Sequence, residues 1–161
     1  MSEYRIGFAQ KLSETSESMI EEGLNSEDAQ RAVLYISCVS CEIALKAALE
    51  KAGKTVPDIR RKSHNLSSLL KEVCSCTVLC EVTKNKLNRV RATDIRGVVV
   101  DSNFANATVG QLLEAEENGA SKFPNEIRYG EVLKHFPAPV MSKLSIIVVA
   151  WVRLHWSDIQ A

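Results

Sequence analysis

A chain of 161 residues is long enough to build one domain with a substantial core. Apolar residues make up 45% and charged residues 25%, with only four prolines and seven glycines, which excludes a disordered or low-complexity chain. Net charge is zero but unevenly spread. Residues 1–30 hold seven acids and two bases, net −5, whereas residues 51–96 hold eleven bases and four acids, net +7. The basic middle is the electrostatic pointer to an anionic partner.

The longest purely apolar stretch, near the C-terminus, is interrupted by Ser145 and ended by Arg153 and His155. No segment is therefore expected to reach the roughly 20 residues that span a bilayer. The start, MSEYRIGFAQKLSETSES, is acidic and lacks the apolar region of a signal peptide. A cytoplasmic protein with no membrane partner is expected. Cysteines 38, 41, 74, 76 and 80, odd in number and without an export signal, predict reduced thiols rather than a disulfide framework.

In chain order, residues 3–22 predict a helix with Tyr4, Phe8, Leu12 and Met19 near one face, ended by Gly23 and Asn25. Ser26 reads as the N-cap of a second helix over 27–52, with Glu27 and Asp28 at its positive end. Ile36, Val39, Ile43 and Ala47 form its stripe, and Leu34, Cys38, Leu45 and Leu49 widen it. So broad an apolar arc suits the central helix of a bundle, and Gly53 is its stop. TVPDIRRK reads as a loop. A short helix over 64–73 turns Leu66, Leu69, Leu70 and Val73 inward. A fourth is expected to start between Val78 and Thr83 and to run to about Val90 or beyond. VVVDS at 98–102 is expected to be a helical continuation or an extended connector, since no partner strand is evident. Residues 108–118 predict a short helix, and residues 138–157 a last one carrying Met141, Leu144, Ile147, Val148, Trp151 and Leu154. The sum is a single all-α domain over 1–161, an up-and-down antiparallel bundle of about five to six helices.

Three stretches in order, RAVLYISCVSCEIALKAALEKAGK (31–54), SHNLSSLLKEV (63–73) and NEIRYGEV (125–132), resemble the HEPN superfamily. That family has a long Ala-rich helix, then a His-x-Leu-x-x-Leu-Leu helix, then an Arg-Tyr loop before the final helix. Gly130 stands where the family typically has proline. The resemblance covers a core of about 26–158, with the helix over about 3–22 as an addition. It implies a helical bundle that homodimerises. It also implies one of two roles: a metal-independent ribonuclease, or a non-catalytic module that binds nucleotides or RNA or pairs with a nucleotidyltransferase of a toxin–antitoxin or defence system.

Within RRKSHNLSSLL (60–70), Arg60 and Arg61 precede His64. Catalytic HEPN members carry an Arg, four to six residues and then a His near the last core helix. Here the gap is shorter and the helix is a different one, so Ser63 or Asn65 is read as a cap and His64 as a residue that orients the loop. A role for Arg60 and Arg61 in holding an anion stays open. Arg128 and His135, in RYGEVLKH, fit the family spacing better. A histidine there would act as general base on a ribose 2′-hydroxyl and the arginine would hold the phosphate. The bland alternative has Arg128 pinning the loop and Tyr129 packing. Lys84, Lys86, Arg89 and Arg91, in KNKLNRVRATDIR (84–96), offer phosphate contacts without an aromatic for base stacking; the alternative is a solvated helix face. C-x-x-C at 38–41 falls inside a buried helix, where cysteine acts as a small hydrophobe, and no metal or cofactor is expected. The reading that results is a HEPN-like, non-catalytic module binding nucleotide, RNA or a nucleotidyltransferase, with Arg128 and Tyr129 as motif residues. The alternatives are an endoribonuclease using Arg128 and His135, and a purely structural dimerisation domain.

Overall fold

The structure, a computed structural model, describes residues 2–115 and 137–161. The chain is mostly helical. Three long helices form the centre: α1 (Ile6–Glu22), α2 (Glu27–Ala52) and, last in the chain, α6 (Ala138–Leu154). Between them lie the short helices α3 (Val56–Arg60), α4 (Leu66–Ser75) and α5 (Val109–Leu113), and a 3-10 helix over Ala92–Gly97. Two antiparallel pairs complete the fold, β1 (Thr77–Thr83) with β2 (Lys86–Arg91) and β3 (Val99–Asp101) with β4 (Ala107–Thr108).

Helix α2 has the bounds its sequence signals dictate. The Ser26 hydroxyl accepts the Ala29 amide at 3.1 Å, Glu27 and Asp28 occupy the first turn, and Gly53 ends the helix at φ 104, a conformation glycine adopts without steric cost. It packs against α1, α4 and α6, which is why its burial runs nearly all round. Val33, Cys38, Cys41, Leu45, Ala47 and Leu49 are fully buried and Leu34 nearly so, while Ile36, Val39 and Ile43 are only half-buried. By length and composition α2 could also cross a membrane, but 72% of its apolar window is buried inside this fold.

Helix α1 corrects an expectation. Its fully buried residues are Ala9, Ser13 and Ser16, and Phe8 is exposed. Small side chains let the backbones approach closely. Ser40 Oγ donates to the Ala9 carbonyl at 2.7 Å, and the Ser16 and Ser142 hydroxyls lie 2.8 Å apart. Leucine or phenylalanine would hold these helices apart.

Helix α4 turns Leu66, Leu69, Leu70 and Val73 into the core, as their spacing predicts, and Asn65 Oδ1 caps it by accepting the Ser68 amide at 2.8 Å. TVPDIRRK, expected as a loop, contains α3, started by Thr55, whose hydroxyl accepts the Asp58 amide.

The expected helix over about 78–90 does not form; β1 and β2 occupy that stretch. Thr77, Val78, Thr83 and Val90 are β-branched and favour a pleated surface. The chain reverses at Asn85, φ 69, a left-handed position that asparagine tolerates better than most residues. Thr77 pairs with Arg91, Val78 with Val90 and Leu79 with Arg89, so Val78 is fully buried on the inner face. VVVDS likewise finds a partner: Val99 pairs with Thr108 and Asp101 with Ala107.

Helix α6 buries Met141, Leu144, Val148 and Trp151. Trp151 Nε1 donates to Asp94 Oδ2 at 3.2 Å, so this tryptophan is a core residue tied to the 3-10 helix and not an exposed anchor for a partner.

Candidate anion-binding site

The crossover from α2 to α4, residues 53–65, holds much of the positive charge of the basic middle. Its anchor lies inside α2. Glu42 and Lys46 are one helical turn apart, both buried, and Lys46 Nζ donates to Glu42 Oε1 at 2.8 Å. Such i,i+4 pairs face each other along a helix. The same Glu42 oxygen lies 3.0 Å from His64 Nδ1. A carboxylate only accepts, so Nδ1 carries the proton of this contact. Lys46 Nζ also lies 5.4 Å from the centre of the Tyr4 ring. His64 thus ties the crossover to α2, the orienting role read from its position at a helix start.

Beyond this anchor, a cavity of about 390 Å³ opens between α2, α3 and α4. Leu49 and Ile59, both fully buried, form its apolar floor. Lys54, Arg61 and Lys62 stand round it with Ser68, Asp58 and Glu72. Glu72 Oε1 is 3.0 Å from Lys54 Nζ, and its Oε2 is 3.3 Å from Lys62 Nζ. The hydrogen bond from Lys54 is the main cause holding the Glu72 carboxyl below the usual glutamate value, and the bond to Glu72 raises Lys54 in turn. Arg61 reaches Asp58 at 3.1 Å and is largely exposed. The crossover therefore presents three cations against two carboxylates.

The other basic residues named from sequence separate into distinct roles. Arg60 is engaged by Glu3 through Nε at 3.1 Å and Nη2 at 2.8 Å, which clamps the N-terminal segment to α3. Arg89 Nη1 donates to the Thr77 carbonyl, the Thr77 hydroxyl and the Asp158 carbonyl, the last at 2.9 Å. Arg91 Nη1 donates to the Ser75 carbonyl at 3.2 Å. These two arginines fasten the β1–β2 hairpin to the C-terminal turn and to the end of α4. Lys84 and Lys86 flank the hairpin turn, are exposed, and form no ion pair among the described residues. The expected row of four phosphate contacts on one helix is thus two tethering arginines and two open lysines on a hairpin. Arg128, Tyr129 and His135 lie outside the described residues.

Cys38 and Cys41 are buried within α2, in keeping with their reading as small hydrophobes, and Cys74 and Cys76 are buried at the end of α4. Burial pushes the Cys74 thiol up to about 11. Sequence reading missed Glu42, Lys46, Lys54 and Glu72. A Glu and a Lys four apart inside an otherwise apolar run was a visible sign of a buried pair. The meeting of Lys54, Lys62 and Glu72 depends on how α4 folds back on α2, which no local spacing encodes.

No protein-family model, curated protein or solved structure matches this chain.

Proposed function

We propose that this chain is a HEPN-like helical module that binds a phosphate-bearing ligand, a nucleotide or RNA, without cleaving it. The observation that carries this reading is the gathering of Lys54, Arg61 and Lys62 round one cavity, with Lys84 and Lys86 as further exposed positive charge on the hairpin. The HEPN-like part of the reading is supported by the His64–Glu42 contact, which joins two of the three stretches that carry the resemblance, and by the packing of α4 on α2. The resemblance also implies a homodimer and a nucleotidyltransferase partner, open to light scattering and co-purification.

The test is fluorescence anisotropy with a labelled oligoribonucleotide in EDTA, with the integrity of the RNA followed on a gel. Binding with intact RNA supports the module. RNA cut by the parent protein and left whole by folded Arg128→Ala and His135→Ala variants would instead establish the endoribonuclease alternative.

A further inference from the structure

The Glu72 carboxylate lies between two ammonium groups, one on each of its oxygens: Lys54 on Oε1 at 3.0 Å and Lys62 on Oε2 at 3.3 Å. Both lysines come from the crossover side and Glu72 from α4, and all three side chains are about one-third exposed. They line a cavity whose floor is the fully buried Leu49 and Ile59. Two ammonium groups thus hold one carboxylate at the wall of the cavity.

We propose that the cavity takes a terminal phosphomonoester on a nucleoside-sized group, and that Glu72 occupies the phosphate position when no ligand is bound. The inference rests on the reading of this chain as a phosphate-ligand module and names the site and the ligand class. A phosphomonoester carries about −1.5 to −2 charge at pH 7 and three acceptor oxygens. It can satisfy both lysines and still offer an oxygen to the Ser68 hydroxyl or to the Arg61 fork at the rim. A carboxylate carries one charge and two oxygens. A phosphodiester inside a polymer also carries one charge and two free oxygens, so it gains nothing over Glu72 in exchange. The site therefore selects a chain end or a free mononucleotide over an internal linkage. The cavity volume, about 390 Å³, falls in the range of small-ligand sites, roughly 300–1,000 Å³. Glu72 swings aside when the phosphate enters, because among the described residues Lys54 and Lys62 alone hold its carboxylate.

Titration calorimetry of the full chain with adenosine 5′-monophosphate tests this, beside matched oligoribonucleotides with a 5′-phosphate and with a 5′-hydroxyl. Removing the competing charge in Glu72→Gln is expected to tighten mononucleotide binding. Lys54→Ala and Lys62→Ala are each expected to weaken it about tenfold, the loss of one hydrogen bond to a charged group. The 5′-phosphorylated oligomer is expected to bind tighter than its 5′-hydroxyl twin; a gain confined to the free mononucleotide would restrict the ligand to that source with the site unchanged. The gain in Glu72→Gln is the arm that misfolding cannot imitate. Glu72→Gln binding more weakly, or no preference for a monoester in any arm, overturns the proposal. RNA bound equally with either 5′ end, and lost in Lys84→Ala/Lys86→Ala, overturns this site and leaves the phosphate-ligand reading intact. No binding of any probe overturns both.

Discussion

His64 Nδ1 and Glu42 Oε1, 22 residues apart in the chain, meet at 3.0 Å, and through them the crossover that carries the candidate site is fixed to the central helix. The carboxylate that makes this contact is also the partner of Lys46, at 2.8 Å, with both side chains more than nine-tenths buried. Breaking one side of such a pair leaves an uncompensated charge and costs about 3–5 kcal/mol, whereas replacing both by apolar residues is often neutral. Lys46→Met is therefore expected to lose about 3 kcal/mol or more in urea unfolding. Glu42→Leu/Lys46→Met, which also gives up the His64 contact, is expected to recover part of that loss. A double variant no more stable than Lys46→Met alone would contradict a paired buried charge.

Glu72 makes stability depend on acid. Its folded-state pKa lies below the ordinary glutamate value of 4.5, so the folded state favours the ionised form. The stabilisation is present in full above 4.5 and is lost as pH falls through the lower folded value. Thermal unfolding followed from neutral to acidic pH is expected to show a steeper loss for the parent below that point than for Glu72→Gln. Parallel curves would contradict the assignment.

The hairpin depends on Arg89. Its Nη1 donates to two strand-β1 oxygens and to the Asp158 carbonyl, and Thr77 exchanges backbone hydrogen bonds with Gln160 at 2.7 and 2.9 Å. Arg89→Ala is expected to speed amide exchange at Thr77 and Gln160 by about tenfold, the loss of roughly one charged hydrogen bond. Helix α2 amides are expected to keep their protection. Uniform acceleration across the chain, or none, would contradict a local tether.

What the sequence made legible, and what it hid, divides along this same hairpin. Helix α2 was legible to its ends, because Ser26 and Gly53 act on backbone groups next to them. The inward leucines of α4 were legible from a strong period. The β1–β2 stretch reads as a helix in sequence but forms a hairpin, although Val78, Thr83 and Val90 are β-branched and Asn85 takes the left-handed turn. The face of α1 was misread for another reason. Apolarity pointed to Phe8, while close packing chose Ala9, Ser13 and Ser16. At the site, His64 was legible as an orienting residue, but its partner Glu42 was not. Arg89 and Arg91 could not be told from ligand-binding arginines without seeing the carbonyls they meet.

Thiol reactivity is expected to follow burial. Cys74 is buried and its thiol is pushed up to about 11, chiefly by desolvation, and Cys76 is raised for the same reason. The thiolate is the reactive form. At pH 8, native-state alkylation by iodoacetamide is expected to be slow at both, and faster at the half-buried Cys80; unfolding in urea is expected to remove the difference. Peptide mass spectrometry reads the order directly. Labelling of Cys74 at its unfolded rate in native protein would contradict its placement.

The central claim is that the positive charge on the crossover and hairpin meets phosphate. The most direct measurement is the salt dependence of binding to a labelled single-stranded oligoribonucleotide, for the parent and for a variant with Lys54, Lys62, Lys84 and Lys86 changed to alanine. Each phosphate neutralised contributes a slope of about −0.7 in log affinity against log salt on single strands. The account predicts measurable binding that weakens with salt in the parent, and a slope shallower by about 0.7 for each phosphate that these lysines neutralise, Lys54 and Lys62 counting together as one. Binding that ignores salt, or a folded variant that binds with the parent's affinity and slope, would contradict it.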